Sequence, residues 1–177
     1  MANTHSYVST MRCACENVDA FNRVGIYSDG DLDNGVFVTL TGINKGADNA
    51  VKGFEYTVAP ASATSYGVWL VNTPEVGTTL EQQMMSDPRY FYNAQGRPMS
   101  LKLLNPKTDI IEVDAHCFAS GALPTTEGYA TIGTNGKLVA ANSAPAAGKT
   151  YFSVVGFNTV AVGMEQMKTV LLQCEAN

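Results

Sequence analysis

Histidines and cysteines, with clustered carboxylates, are the side chains able to move protons, hold metals or attack carbonyls. This chain has two histidines, His5 and His116, and four cysteines, Cys13, Cys15, Cys117 and Cys174. The adjacent pair His116 and Cys117 is the first place to seek nucleophilic chemistry, because a neighbouring imidazole can turn a thiol into a thiolate. Ile110–Phe118 reads as a strand, however, and neighbouring side chains on a strand project to opposite faces. A buried structural Cys117 and a half-exposed His116 are therefore expected, with no catalytic residue at this pair. His5 falls in an N-terminal stretch expected to be mobile.

On an extended segment Cys13-x-Cys15 places two thiols on one face, and Cys174 or His116 offers a completion. Structural zinc usually announces itself by C-x2–4-C spacing and four clear ligands. Small buried residues in a first strand are the expectation, with no metal and no other cofactor; metal retained through dialysis would reverse it. Asp29, Asp31 and Asp33 surround a Gly-containing turn in the manner of a calcium loop. Counted from Asp29, the position that needs a bidentate Glu holds Leu40, so a solvated turn is expected. Among Asp109, Glu112 and Asp114, no local feature marks an acid suited to glycoside hydrolysis.

Aromatic residues carry a different message. Arg89-Tyr90-Phe91-Tyr92 lies in a Pro-rich stretch, and Trp69 is the single tryptophan. Trp, Tyr and Arg dominate interface energetics, which makes Trp69, Arg89, Tyr90, Phe91 and Tyr92 the interface candidates. The competing reading of Trp69 is core, given Val68, Leu70 and Val71 around it.

The elements that must position these groups are mostly strands. Thr131-Ile132 and Leu138-Val139 flank Asn135-Gly136, a pair tolerant of the positive φ of a type I′ hairpin turn. Asp29-Gly30 and Asn34-Gly35 mark further turns. Val36–Leu40, Gly53–Ala59, Val68–Val71, Ser100–Leu104, Ala130–Ile132, Lys137–Ala141, Thr150–Gly156 and Thr159–Gly163 read as short strands, and in Gly53–Ala59 Phe54, Tyr56 and Val58 alternate with Glu55 and Thr57. Leu80–Ser86 reads as one helical turn. Met164, Met167, Val170, Leu171 and Cys174 fit helical spacing, yet Thr169–Gln173 also reads as a closing strand, the alternative favoured here. An all-β barrel or sandwich is predicted. Its organisation is an N-terminal arm or first strand (1–22), a β lobe (23–75), a Pro-rich connecting segment (76–106) and a second β lobe (107–177).

Charged residues make up 15% of the chain, against roughly a quarter in ordinary soluble domains. A net charge of −5 without a basic stripe excludes nucleic acid as the main partner. No apolar run approaches the ~20 residues of a membrane span, and Met1–Asn22 lacks the pattern of an export signal. Synthesis in a cytoplasm is expected, with the cysteines kept as thiols.

The segment order resembles that of small β-rich proteins encoded near the major capsid gene of tailed bacteriophages, which act as capsid decoration or other auxiliary virion proteins. The residues carrying the likeness are the Asn34-Gly35-Val36-Phe37-Val38 opening, Ala59-Pro60 with Val68–Val71, the Asn93–Pro98 turn, the Asp109–Val113 strand and the Gly133–Val139 hairpin. They span Asp31–Ala141. The resemblance implies a dimer or trimer on the outer surface of the virion, bound to the major capsid protein, away from nucleic acid and membrane. Two other readings stand beside it: a tail-tube, neck or head-fibre component, and a carbohydrate-binding β-sandwich stacking sugars on Trp69 and Tyr90–Tyr92.

Overall fold

The computed structural model describes residues 5–76, 80, 87–162 and 165–177. Among them the chain is mainly β, as its alternating apolar residues and turn pairs predict. Strands β2 (Asn22–Ile26), β3 (Phe37–Lys45), β4 (Val51–Pro60), β5 (Trp69–Val71) and β6 (Pro98–Leu103) form a closed barrel in the order β2-β4-β3-β5-β6. Antiparallel pairing of β6 with β2, from Asn22 opposite Lys102 to Ile26 opposite Pro98, completes the circle.

A six-stranded sheet takes the remaining strands in the order β1-β7-β11-β10-β8-β9. These are β1 (Val8–Arg12), β7 (Ile110–Asp114), β8 (Tyr129–Ile132), β9 (Leu138–Ala141), β10 (Tyr151–Val162) and β11 (Glu165–Ala176). The chain therefore starts in the sheet, passes through the barrel and returns. Residues 1–22, read as an arm or first strand, contribute β1, which lies against β7. Residues 76–106, read as a connection, contribute barrel strand β6.

Two clusters of buried side chains hold these layers. One fills the barrel with Val36, Val38, Val58, Trp69, Val71, Met99 and Leu101. The other lies between barrel and sheet and joins Phe37, Leu70 and Leu104 to Ile111, Val113, Leu138, Phe152, Val170 and Leu172. Phe37 and Phe152 meet there with ring centroids 5.3 Å apart, worth ~1 kcal/mol beyond the area they bury. The predicted Asn-Gly hairpin joins β8 to β9, with positive φ at both Asn135 and Gly136. Its tip is driven into the barrel: Gly136 N–H donates to the Ala61 carbonyl at 2.8 Å. A Cβ on Gly136 would lie 2.0 Å from the Phe37 carbonyl oxygen, so no other residue fits there.

Several elements differ from expectation. The segments expected as two strands, Thr150–Gly156 and Thr159–Gly163, meet in one strand, β10 (Tyr151–Val162), which absorbs a register shift between Val154 and Gly156 and runs on; Gly163 lies outside the described residues. The C-terminal segment is a strand, as favoured; it lies inside the sheet, between β7 and β10. Residues 81–86 of the predicted helical turn lie outside the described residues. Among the described residues, no helix is long and apolar enough to cross a membrane.

Candidate functional site

Four places gather groups able to bind or react. The first lies at the start of β7. After β1 the chain turns through Ala14–Asn17, bringing Cys13 and Cys15 beside Asp109; the two sulfurs and a carboxylate oxygen all lie within 4.8 Å of one another, and all three residues are buried. Asp109 is held firmly: Oδ1 accepts from Ala14 N–H at 2.6 Å, and Oδ2 from the Asn105 N–H and Nδ2 at 2.8 and 3.3 Å. Cys174 is buried alongside, its N–H donating to the Asp109 carbonyl at 2.9 Å. Cys13 Sγ donates to the Ile110 carbonyl at 3.3 Å. Its thiol is held protonated, first by a hydrogen bond with Cys15 and then by burial, while burial pushes Cys174 up to about 12.

The second place lies at the other end of the same strand. β7 stops at Asp114, whose side chain accepts from His116 N–H at 3.2 Å and turns Ala115–Cys117 into a single 3-10 turn. The predicted strand to Phe118 is thus cut short by an Asx-type cap. His116 Nδ1 bonds Asp114 Oδ2 at 2.8 Å, while Cys117 Sγ donates to the Tyr7 carbonyl at 3.3 Å and approaches Asp114 Oδ1 at 3.6 Å. Complete burial and the Asp114 charge raise the Cys117 thiol far above its ordinary pKa, so it is a poor nucleophile. Cys117 is buried and His116 partly exposed, as expected, although the turn geometry and not strand alternation is the cause.

His5 is not loose. It stacks on Tyr92 with centroids 5.3 Å apart, and Nδ1 bonds Asp33 Oδ1 at 2.7 Å. Asp31 likewise has a structural partner, accepting from Gln95 N–H at 2.8 Å. The turn 29–33 is therefore clasped to loop 92–96.

The third place is the aromatic segment. Trp69 is only 8% exposed, packs inside the barrel and carries Arg23 over its ring at 5.8 Å, so it offers little contact surface. Arg89 is committed to Asp87 in a forked pair and to Glu165 at 2.7 Å. Tyr90, Phe91 and Tyr92 are half-buried.

Sequence reasoning missed the fourth place. The β3–β4 and β10–β11 hairpins run beyond the strands that flank them, so exposure rises toward their tips. Phe54, predicted to line the buried face with Tyr56 and Val58, is 94% exposed, and Ile43 and Val51 stand out beside it. These flank an open hollow of about 560 Å³ that also includes Val24 and Tyr56. On β10, Val155 and Phe157 are about half exposed. Phe157 borders a second open hollow of about 610 Å³ with Leu123 and Pro124. The only available signal was length: runs of alternating residues longer than a barrel wall needs.

No family model matches the chain, and no curated protein or solved structure shows significant similarity to it.

Proposed function

We infer that the chain is a bacteriophage virion structural protein that decorates the outer capsid surface and stabilises contacts between capsomers as a dimer or trimer. The observation that carries this reading is the pair of long hairpins rooted in packed strands, the first presenting bare Ile43, Val51 and Phe54 toward its tip and the second half-exposed Val155 and Phe157 near the middle of β10. Extended arms on a rigid scaffold suit attachment to a preformed lattice, where backbone and apolar contacts carry the binding. The resemblance of its segment order to phage auxiliary proteins supports reading that lattice as a phage shell. A net charge of −5 suits the outer wall, since the inner wall faces packaged nucleic acid.

Specific interfaces bury upward of about 1,000 Å². One copy reaching its neighbours through two narrow arms binds weakly, and an oligomer engaging several capsomers multiplies the effect. Imaging of particles should place the protein at capsomer junctions, and particles lacking it should open at lower temperature. Phe54→Ser, in a side chain with little packing of its own, and Phe157→Ser, in a half-exposed one, should each lower capsid occupancy by roughly ten-fold. Unchanged occupancy and unchanged heat resistance would refute the clamping role. A ring or axial stack at the portal would instead assign a tail or neck role.

A further inference from the structure

We propose that Cys13, Cys15 and Asp109, completed by Cys174, form a structural zinc site where the chain leaves the six-stranded sheet for the barrel. Asp109 is 1% exposed. Among the described residues no lysine, arginine or histidine makes an ion pair with it. A buried carboxylate without a counter-charge is costly, and its hydrogen bonds offset only part of that cost. What surrounds it is sulfur: Cys13 and Cys15 with ligand atoms inside 4.8 Å, and Cys174 joined to it through the backbone.

Thiolates with a carboxylate in a closed, buried setting are a donor set for zinc and not for the hard cations, which take oxygen shells. Bonds of about 2.0–2.3 Å in a tetrahedron place ligand atoms roughly 3.5–3.8 Å apart, so Cys13, Cys15 and Asp109, already within 4.8 Å of one another, close by shifts of about 1 Å, and a turn of the Cys174 side chain would bring in the fourth ligand. The groups that would orient the carboxylate are already in place. Ala14 N–H orients Oδ1 and Asn105 orients Oδ2, as ligating carboxylates are usually held. The short Cys-x-Cys spacing, which argues against zinc in a hairpin knuckle, is accommodated here because the other ligands come from the residue before β7 and from β11. Binding would release the thiol protons and tie β1, β7, β11 and the crossover into one unit.

The test uses the full chain, purified reduced and stripped of metal, titrated with cobalt and then zinc. One equivalent of cobalt should give the thiolate charge-transfer and tetrahedral d–d absorption, zinc should displace it, and zinc should raise the melting temperature. Cys13→Ser, and separately Asn105→Ala, should weaken binding by at least about 10-fold, while Cys117→Ser should leave it unchanged. Circular dichroism of each variant separates lost binding from lost folding, and titration of the unaltered chain stands if a variant unfolds. Absence of stoichiometric cobalt binding, binding undiminished in Cys13→Ser, or a native mass lower by two hydrogens from a disulfide among these cysteines would each overturn the proposal.

Discussion

The two ends of β7 use the same residue for the same mechanical task in opposite surroundings. Asp109 before the strand accepts the N–H of Ala14, and Asp114 at its end accepts the N–H of Tyr7, so two buried carboxylates bracket β1 and fix its register. At the Asp114 end the carboxylate meets an imidazole and one thiol. At the Asp109 end it meets thiols and an amide. The lesson is that a buried aspartate is first a backbone cap, and its neighbours decide whether it can also be a ligand. Imidazole satisfies Asp114 from within the chain, whereas Asp109 has backbone and amide donors and sits among thiols.

Removing each carboxylate gives the largest test of that contrast. Asp109→Ala strands the Ala14 and Asn105 donors out of water and should cost on the order of 3–5 kcal/mol in urea denaturation. Asp114→Ala should cost less, roughly 2–3 kcal/mol, because the His116 side chain is 38% exposed and can turn to solvent. The reverse order would break the comparison. Next comes Gly35→Ala, at about 2 kcal/mol. Gly35 has φ +84°, and a Cβ there would sit 2.5 Å from Cys117 Sγ. Adding Cys117→Ala should recover the steric part of that loss and leave the backbone part, as thermal melts of the double variant would show.

The smallest effect concerns acid. Burial disfavours the Glu16 carboxylate, but Lys102 Nζ at 2.8 Å, with the Thr10 hydroxyl and the Asn72 amide, outweighs it and holds its pKa below the ordinary range. A depressed folded-state pKa means that Glu16 contributes stability above its unfolded pKa and loses it as pH falls through the folded value. Glu16→Gln should therefore flatten the acid limb of the stability curve by less than about 1 kcal/mol, since the pair is partly solvated. An unchanged acid limb would show that the crossover end carries no such electrostatic tie.

What the sequence disclosed was local. The Asn135-Gly136 turn was legible because both residues there need positive φ, and so were most barrel strands, whose alternation repeats over a few residues. β1 was legible only as one alternative, an arm or first strand within residues 1–22, and β2 was not, because Val8–Arg12 and Asn22–Ile26 carry little alternation and are held by partners far along the chain. The thiol cluster was half visible: Cys13-x-Cys15 stands out, but Asp109 joins it only when β7 folds against β1. The 3-10 turn at His116 had a readable cue, an aspartate two residues earlier. Trp69 and Arg89–Tyr92 were chosen for residue type, and type says nothing of exposure; among the described residues the exposed aromatics are Phe54, Tyr66 and Phe157.

The threading of sheet through barrel has a consequence during translation. β2 to β6 emerge as one uninterrupted block and can close while the rest is still being made. β1 cannot settle, because Tyr7 must wait for Asp114, 107 positions later. Until that length has left the ribosome, the first strand is an orphan edge, and a pause in synthesis just after the barrel is where a nascent chain would be most exposed to mispairing and most in need of a chaperone.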